Sequence, residues 1–223
     1  MKVLGISTTT HALEESASGM MLEASLRVIA SRGHEVTILD AAKLHVVQNL
    51  SCYAGGGRNC ASPEAGPYRC WAHKNSVDDP AKYGGEDEMP VIYDGIESAD
   101  VVLWATSVRW MSHSSLLQRL IERMNTLENR ASVYGEANPL AGKLAGVIVA
   151  GQHYEGQKVA ICLQEVFIRL GFTVPLDAQM VWQRTLDLNL EQGDGSNRPH
   201  VGLHLVSPAG RGQITRFVEA LGL

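Results

Sequence analysis

The sequence predicts an α/β protein built on a doubly wound, five-stranded parallel sheet. Strand-like and helix-like segments alternate along most of the chain. The strand-like runs are apolar throughout, and glycines stand where the helices between them should stop. Apolar strands without polar alternation are typical of parallel sheets that are covered by helices on both faces.

Five apolar runs predict the strands. The first ends in Ser and Thr, the third follows the turn-prone residues 98–100, and Gly151 closes the fourth. The expected strands are 2–6, 36–39, 101–104, 143–150 and 172–176. Five parallel strands in a chain of this length suit the flavodoxin-like strand order 2-1-3-4-5.

Four segments carry apolar residues at helical spacing. Gly33 stops the first and Gly171 stops the third, while Ser112, Ser114 or Ser115 is a candidate cap for the second. The expected helices are 20–32, 116–127, 159–170 and 215–221.

Length and composition favour one domain over residues 1–223. The chain has 223 residues, of which 45% are hydrophobic and 19% charged, and its net charge is −5. This acidic balance argues against a nucleic-acid partner, which would need a basic face. No apolar run reaches the roughly 18 residues of a membrane span, and the opening run is too short for a signal peptide. We therefore expect a cytoplasmic protein with no membrane partner.

One segment interrupts the alternation. Residues 49–89 form an insertion far longer than the roughly 2–6 residues that usually connect such elements. Three of the four cysteines lie in it. We interpret residues from about 180 to 223 as a C-terminal extension.

The cysteines of the insertion leave several alternatives open. Cys52, Cys60 and Cys70 together with His73 have the residue types of a zinc site. Three local thiolates fall short of the four that a [4Fe–4S] cluster normally takes, and Cys162 lies in a predicted helix. Free or structural thiols are the interpretation that we favour, so no metal is expected. The insertion is expected to form a pocket wall or an oligomer contact.

Hydroxyl-bearing residues follow the first strand. Ser7, Thr9 and Thr10 come directly after it, and Ser16 and Ser18 precede the first helix. Hydroxyls and free N–H groups at a helix N-terminus favour an anion. The loop lacks the glycine spacing of dinucleotide-binding loops and the lysine of a P-loop, so a monophosphate fits better. Ordinary helix capping is the alternative.

Two further loops belong to the same edge of the sheet. Residues 106–113 contain Arg109, Trp110 and Met111, which suit the face and edge of a planar heterocycle. The alternative places Arg109 in solvent and Trp110 in the core. The loop after the fourth strand has Gly151 and His153, which allow close approach and edge donors; a plain turn is its alternative. Because the carboxyl ends of the strands meet at one edge, the three loops together predict an FMN site.

Two stretches, 78–102 and 105–123, resemble the NADPH-dependent FMN reductases, including their iron–sulfur flavoprotein branch. The first contains Ile92-Tyr93-Asp94-Gly95-Ile96-Glu97-Ser98-Ala99-Asp100, and the second contains Thr106-Ser107-Val108-Arg109-Trp110-Met111-Ser112. The likeness covers about residues 1–175. It implies a flavodoxin-like fold, a helix before the third strand, bound FMN and a homo-oligomer. The candidate FMN-binding residues are Ser7, Thr9, Thr10, Ser16, Ser18, Thr106, Ser107, Val108, Arg109, Trp110, Met111, Gly151 and His153.

The resemblance implies an oxidoreductase in which NAD(P)H reduces FMN, and FMN reduces a quinone or another small acceptor. We expect a homodimer or homotetramer, and a role for Arg109 in stabilising the reduced ring. Three alternatives stay open: an FMN electron carrier without nicotinamide chemistry, a metal-binding or sensor module built on the cysteines, and a flavodoxin-like fold without its cofactor.

Overall fold

Five parallel strands form the centre of the molecule. The computed structural model describes residues 1–52, 59–151, 155–184 and 198–223. The strands are β1 (Lys2–Ser7), β2 (Glu35–Asp40), β3 (Val101–Ser107), β4 (Leu144–Gly151) and β5 (Gln179–Gln183). They are all parallel and lie in the order β2-β1-β3-β4-β5, which confirms the predicted fold class and strand order.

Helices cover both faces of this sheet. They are α1 (Ala17–Ser31), α2 (Trp71–Asp78), α3 (Pro80–Tyr83), α4 (Met89–Ser98), α5 (Ser115–Ser132), α6 (Gly156–Leu170), α7 (Arg198–Val206) and α8 (Pro208–Ala220). One apolar core lies between the sheet and α4, α5 and α6, and the other between the sheet and α1, α7 and α8. No helix among the described residues is long and apolar enough to cross a membrane.

The periodicity of α5 and α6 explains the first of these cores. Leu120, Met124 and Leu127 recur along one face of α5 and are fully buried, as helical spacing requires. On the sheet side, Trp104 of β3 stacks on Phe167 of α6 with 5.0 Å between ring centroids. Such an aromatic pair buries a large area and anchors α6 on the sheet.

Two predictions near the end of the chain were wrong. Residues 172–176 do not form the fifth strand, because Thr173 makes only an isolated bridge to Leu144. The apolar side chain of Phe172 packs edge-on against Phe167 and does not belong to a sheet strand. The last helix was predicted over 215–221 but begins at Pro208, and Ser207 is its N-cap. The helix α7 precedes it in a segment where no helix was predicted.

The C-terminal residues are attached to the sheet and to α1. Gln213 Nε2 of α8 donates to the carbonyl of Val181 at 2.8 Å. Arg32, directly after α1, donates through Nη1 to the carbonyl of Leu223 at 2.6 Å. The organisation of residues 1–223 as one domain stays a prediction.

The insertion, which the sequence analysis identified by its length, has helical elements among its described residues. It contains α2, α3 and a short 3-10 turn at Pro63–Ala65. A buried ion pair attaches it to α5: Arg123 bonds to both carboxylate oxygens of Asp87, at 2.6 and 3.0 Å. The same guanidinium donates to the carbonyl of Val47 at 2.6 Å, and the Val47 N–H donates to Asp87 at 2.8 Å. These bonds make the insertion part of the packed body.

Candidate functional site

A cavity of about 510 Å³ opens at the carboxyl edge of the sheet, between the segments that follow β1 and β3. Small-molecule sites usually enclose about 300–1,000 Å³, so its size suits a cofactor. Its lining is mainly hydroxyl-bearing and consists of Thr8, Thr9, Thr10, Ser107, Arg109, Ser112, His113, Ser114, Ser115, Leu116 and Gln118. A more open groove of about 830 Å³ lies along α5 and α6 and shares none of these residues.

The first loop folds back over the beginning of α1. A Cβ on Gly19 would clash with the backbone carbonyl of Leu13, so only glycine permits this approach. Ser16 caps α1 by accepting a hydrogen bond from the Gly19 N–H at 3.4 Å, and its hydroxyl lies 3.1 Å from that of Ser18. The capping alternative therefore describes how this chain uses Ser16. Neither serine lines the cavity.

Ser7 is the last residue of β1 and is completely buried. Within the described residues its hydroxyl has no hydrogen-bond partner. It lies on the α1 side of the sheet, like Gly5, whose missing side chain would meet Leu22 and Leu26 of α1. Leaving a buried hydroxyl unpaired costs about 1–3 kcal/mol. An acceptor oxygen of a ligand at the start of α1 would satisfy it, which fits the phosphate of FMN.

Three buried hydroxyls connect the two walls of the cavity. Ser114, the N-cap of α5, donates to Thr8 Oγ1 at 3.2 Å, and Thr8 donates to the carbonyl of Ala105 at 2.8 Å. Thr106 donates to Ser114 Oγ at 3.2 Å and accepts from the Ser114 N–H at 3.1 Å. Ser114 Oγ also accepts from the Leu117 N–H. Thr8 follows β1 and Thr106 belongs to β3, so Ser114 bonds to both walls.

A tight turn forms the rim next to Arg109. The Arg109 and Ser112 backbones exchange two hydrogen bonds, of 2.7 and 2.9 Å. Trp110 and Met111, between them, have φ values of +46° and +66°. Such values at both central positions are those of a two-residue hairpin turn, where Asn and Gly are the usual residues. Bulky side chains there indicate strain, which is concentrated at functional sites.

The turn displays its side chains outward. Trp110 is 97% exposed, and Met111 is 49% exposed. The alternative in which Trp110 packs in the core is therefore wrong. Arg109 is also exposed, with Nη1 donating to the carbonyl of Val108 at 3.2 Å. The Val108 N–H donates to Ala150 at 2.9 Å, which ties this segment to the end of β4.

The cavity brings together only part of the predicted residue set. Thr9, Thr10, Ser107 and Arg109 line it. The predicted residues that do not line it are Ser7, Ser16, Ser18, Thr106, Val108, Trp110, Met111 and Gly151. His153 lies outside the described residues. The binding roles of all these residues stay predictions.

Several lining residues were absent from the predicted set. These residues are Thr8, Ser112, His113, Ser114, Ser115, Leu116 and Gln118. The run of hydroxyls before α5 was noticed only as a set of helix caps. Gln118 could have been found from helical spacing, because it follows Ser115 by three positions in the first turn.

The cysteines of the insertion face the protein interior. Cys60 and Cys70 are buried, Cys52 is partly buried, and Cys162 is exposed on α6; within the described residues none of them forms a disulfide. Burial, with Cys70 and Cys52 nearby, raises the pKa of the Cys60 thiol to about 11.

His73 does not complete a metal site with these cysteines. Its Nδ1 lies 3.2 Å from the backbone oxygen of Asp87 and 3.6 Å from the carboxylate. Among the described residues, no three or more His, Cys, Asp or Glu side chains are grouped as metal ligands. The structure therefore gives no support to the zinc alternative.

The family comparison covers most of the chain. The model of the NADPH-dependent FMN reductase family matches residues 1–187. The chain belongs to this family. The resemblance of its motifs to the NADPH-dependent FMN reductases is thereby confirmed.

One curated relative is similar over part of the chain. The 8-demethyl-8-aminoriboflavin-5′-phosphate synthase of Streptomyces davaonensis is 28% identical over 99 residues, which are 44% of this chain and 37% of that protein. The matched region thus spans little more than a third of that relative's length.

Solved structures share the fold across nearly the whole chain. RosB, with bound 8-demethyl-8-formylriboflavin-5′-phosphate, has a TM-score of 0.71 at 18% identity, covering 99% of this chain and 77% of that one. The NAD(P)H:quinone oxidoreductase from Methanothermobacter marburgensis has a TM-score of 0.53 at 14% identity, covering 96% and 95%. A flavodoxin from Streptococcus pneumoniae has a TM-score of 0.51 at 12% identity, covering 99% and 97%. At these identities the likeness establishes the flavodoxin-like fold.

Proposed function

We propose that this family member passes electrons from a reduced nicotinamide through FMN to a small planar acceptor such as a quinone. The observation that carries the proposal is the 510 Å³ cavity between the hydroxyl-rich first loop and the Arg109–Ser112 turn. Bound FMN would supply the hydride and electron transfer, while the protein binds and orients the participants.

The first loop is the proposed phosphate side of the site. The hydroxyl of Ser7, which has no hydrogen-bond partner within the described residues, and the positive dipole end of α1 both favour an anion. Thr9 is buried, and among the described residues its Oγ1 accepts from the His11 N–H and donates to no partner, so its own proton is available to a ligand. Thr10 is exposed on the same wall.

The second segment is the proposed ring side. Arg109 would favour negative charge on the reduced ring, because its guanidinium carries a positive charge. Trp110 would present its exposed indole to the planar acceptor. No side chain is required as an acid or base in this scheme. The homodimeric or homotetrameric state, the cytoplasmic location and the role of Gly151 and His153 stay predictions.

The absorption spectrum of the purified protein tests the proposal. We expect a flavin band near ~450 nm that NADPH or NADH bleaches without oxygen and a quinone restores. A colourless protein that does not bind added FMN would contradict it. Bound FMN that neither nicotinamide reduces would support the electron-carrier alternative instead.

Replacement of Arg109 tests the ring side. We expect Arg109→Gln to lower the FMN midpoint potential by roughly 30 mV, which is tenfold in a two-electron equilibrium. Arg27→Gln is the matched control, since Arg27 is exposed on α1 and its ion pair, among the described residues, is with Glu23 of the same helix. Equal potentials in the two variants would remove the proposed role of Arg109.

A second candidate function treats an FMN-type flavin as the substrate. It is favoured by the relative whose name describes an aminoriboflavin phosphate synthase, and by RosB with its formylriboflavin phosphate. Mass spectrometry of the flavin recovered after incubation separates the candidates. A changed flavin mass supports the synthase-like reaction, and unchanged FMN after many turnovers of acceptor supports the reductase.

A further inference from the structure

We propose that Ser114 is a positioning residue that keeps the two walls of the FMN cleft in fixed relation to each other. The inference rests on the proposed function, because it assigns Ser114 a role in shaping the same cleft. It concerns a residue that is 6% exposed and acts through its neighbours rather than on the reacting atoms.

The directions of the hydrogen bonds follow from the chemistry of the end groups. The carbonyl of Ala105 can only accept, so Thr8 donates its single hydroxyl proton to that carbonyl. The bond between Thr8 and Ser114 must then use the Ser114 proton, and the bond between Ser114 and Thr106 must use the Thr106 proton. The chain of hydroxyls therefore has one polarity: Thr106 to Ser114 to Thr8 to Ala105.

This polarity divides the hydroxyls of the cavity into two groups. The protons of Thr8, Thr106 and Ser114 are committed inside the protein and are not available to a phosphate. Thr9, by contrast, makes no hydrogen bond in which its hydroxyl donates, among the bonds of the described residues. The committed group shapes the cleft, and the remaining hydroxyls are the ones that can donate to a ligand.

Capping of α5 does not account for this arrangement. A cap needs only the bond from the Leu117 N–H to Ser114 Oγ. Ser114 additionally joins Thr8, at the end of β1, to Thr106, 98 positions later in β3. A second serine supplies the comparison: Ser207 caps α8 through the Gly210 N–H at 3.1 Å, and it lies outside the cavity lining.

The test compares Ser114→Ala with Ser207→Ala, using Ser114→Thr to restore the hydroxyl. We expect both alanine variants to lower the melting temperature through loss of a cap. Ser114→Ala alone should raise the FMN dissociation constant about tenfold, measured by flavin fluorescence quenching at a temperature where each variant is folded. Ser114→Thr should recover most of the affinity.

A second measurement needs no flavin. Amide hydrogen exchange in FMN-free protein should become faster in both segments 8–11 and 106–113 of Ser114→Ala, and in neither segment of Ser207→Ala. Unchanged exchange at 8–11 would overturn the inference, and so would FMN affinity equal to that of Ser207→Ala. Failure of the wild type to bind FMN contradicts the proposed function separately, because the exchange result decides the role of Ser114 without it.

Discussion

The cleft and the insertion both bury polar groups, but they use them differently. In the cleft, neutral hydroxyls form a short chain, and the neighbouring turn exposes Trp110 to solvent. Next to the cleft, at the end of β1, the buried Ser7 hydroxyl has no hydrogen-bond partner within the part of the chain that the structure describes. Where the insertion meets α5, a charged pair is buried: Asp87 of the insertion accepts from Arg123 of α5 and from the Val47 N–H. The hydroxyls of the cleft leave hydrogen-bonding groups that a ligand could use, whereas the charged pair at the insertion bonds within the protein.

The difference shows how to separate a binding loop from a structural one. The insertion has the more unusual composition, with three cysteines and a histidine. Yet Arg123 and Asp87 hold it to α5, and the pKa of Cys60 is raised because the thiol is buried. The cleft is composed mainly of ordinary Ser and Thr. The destination of the hydrogen bonds, rather than the rarity of the residues, distinguishes the two regions.

The largest effect is expected at the insertion. Arg123→Met should lower the free energy of unfolding by about 3–5 kcal/mol, because it leaves the carboxylate of Asp87 buried without a counter-charge. Urea denaturation measures this loss. The control Arg27→Met removes an exposed pair with Glu23 and should change stability by less than about 0.5 kcal/mol. The double variant Arg123→Met with Asp87→Leu should regain most of the loss. If Arg123→Met behaves like Arg27→Met, the contrast between the regions does not hold.

A smaller effect is expected from the pKa of Cys60. The folded thiol has a pKa of about 11, above its ordinary value of 9.0. The unfolded chain therefore loses the proton first, and stability should fall as the pH rises from about 9 towards 11, by up to about 2 kcal/mol. The difference between wild type and Cys60→Ala in urea denaturation at each pH isolates this thiol. Cys162→Ala, at an exposed site, should leave the pH dependence unchanged. Parallel curves for wild type and Cys60→Ala would show that the thiol is not desolvated.

The smallest effect on stability is expected at the turn. Replacing Trp110 and Met111 by Asn and Gly should raise the free energy of unfolding by up to about 1 kcal/mol, because these residues prefer positive φ. The KM for a quinone should rise at the same time if the indole contacts the acceptor. Gly135→Ala is the reverse control: its φ is +66°, so alanine there should destabilise by about 1 kcal/mol. A turn variant less stable than wild type would argue against stored strain.

The sequence predicted the parts of the fold that depend on local pattern. Strands covered by helices on both faces are apolar throughout, so β1, β3 and β4 could be recognised as continuous apolar runs. The helix α5 has one buried face, so it could be recognised from its helical spacing of apolar residues. β5 was placed too early. Its own sequence has Gln at both ends and buries Met180 and Trp182, a pattern that becomes clear only once α8 lies beside it.

The site was predicted only in outline for a related reason. Which loops meet follows from the strand order, so the pairing of Thr9 and Thr10 with Ser107 and Arg109 was foreseeable. Which hydroxyl protons remain available depends on distances between residues about a hundred positions apart, as at Ser114. Likewise, Arg123 interrupts the apolar face of its helix for a partner, Asp87, that no local pattern connects to it.

The exposed turn also gives the molecule a built-in optical reporter. Trp71, Trp104 and Trp182 are all at most 9% exposed, whereas the indole of Trp110 is almost entirely in contact with water. A collisional quencher such as iodide should therefore extinguish the emission of one indole and spare the other three. Subtracting the emission spectrum with quencher from the one without it would isolate the fluorescence of Trp110. Binding and release of a ligand at the cleft rim could then be followed in real time on unlabelled protein.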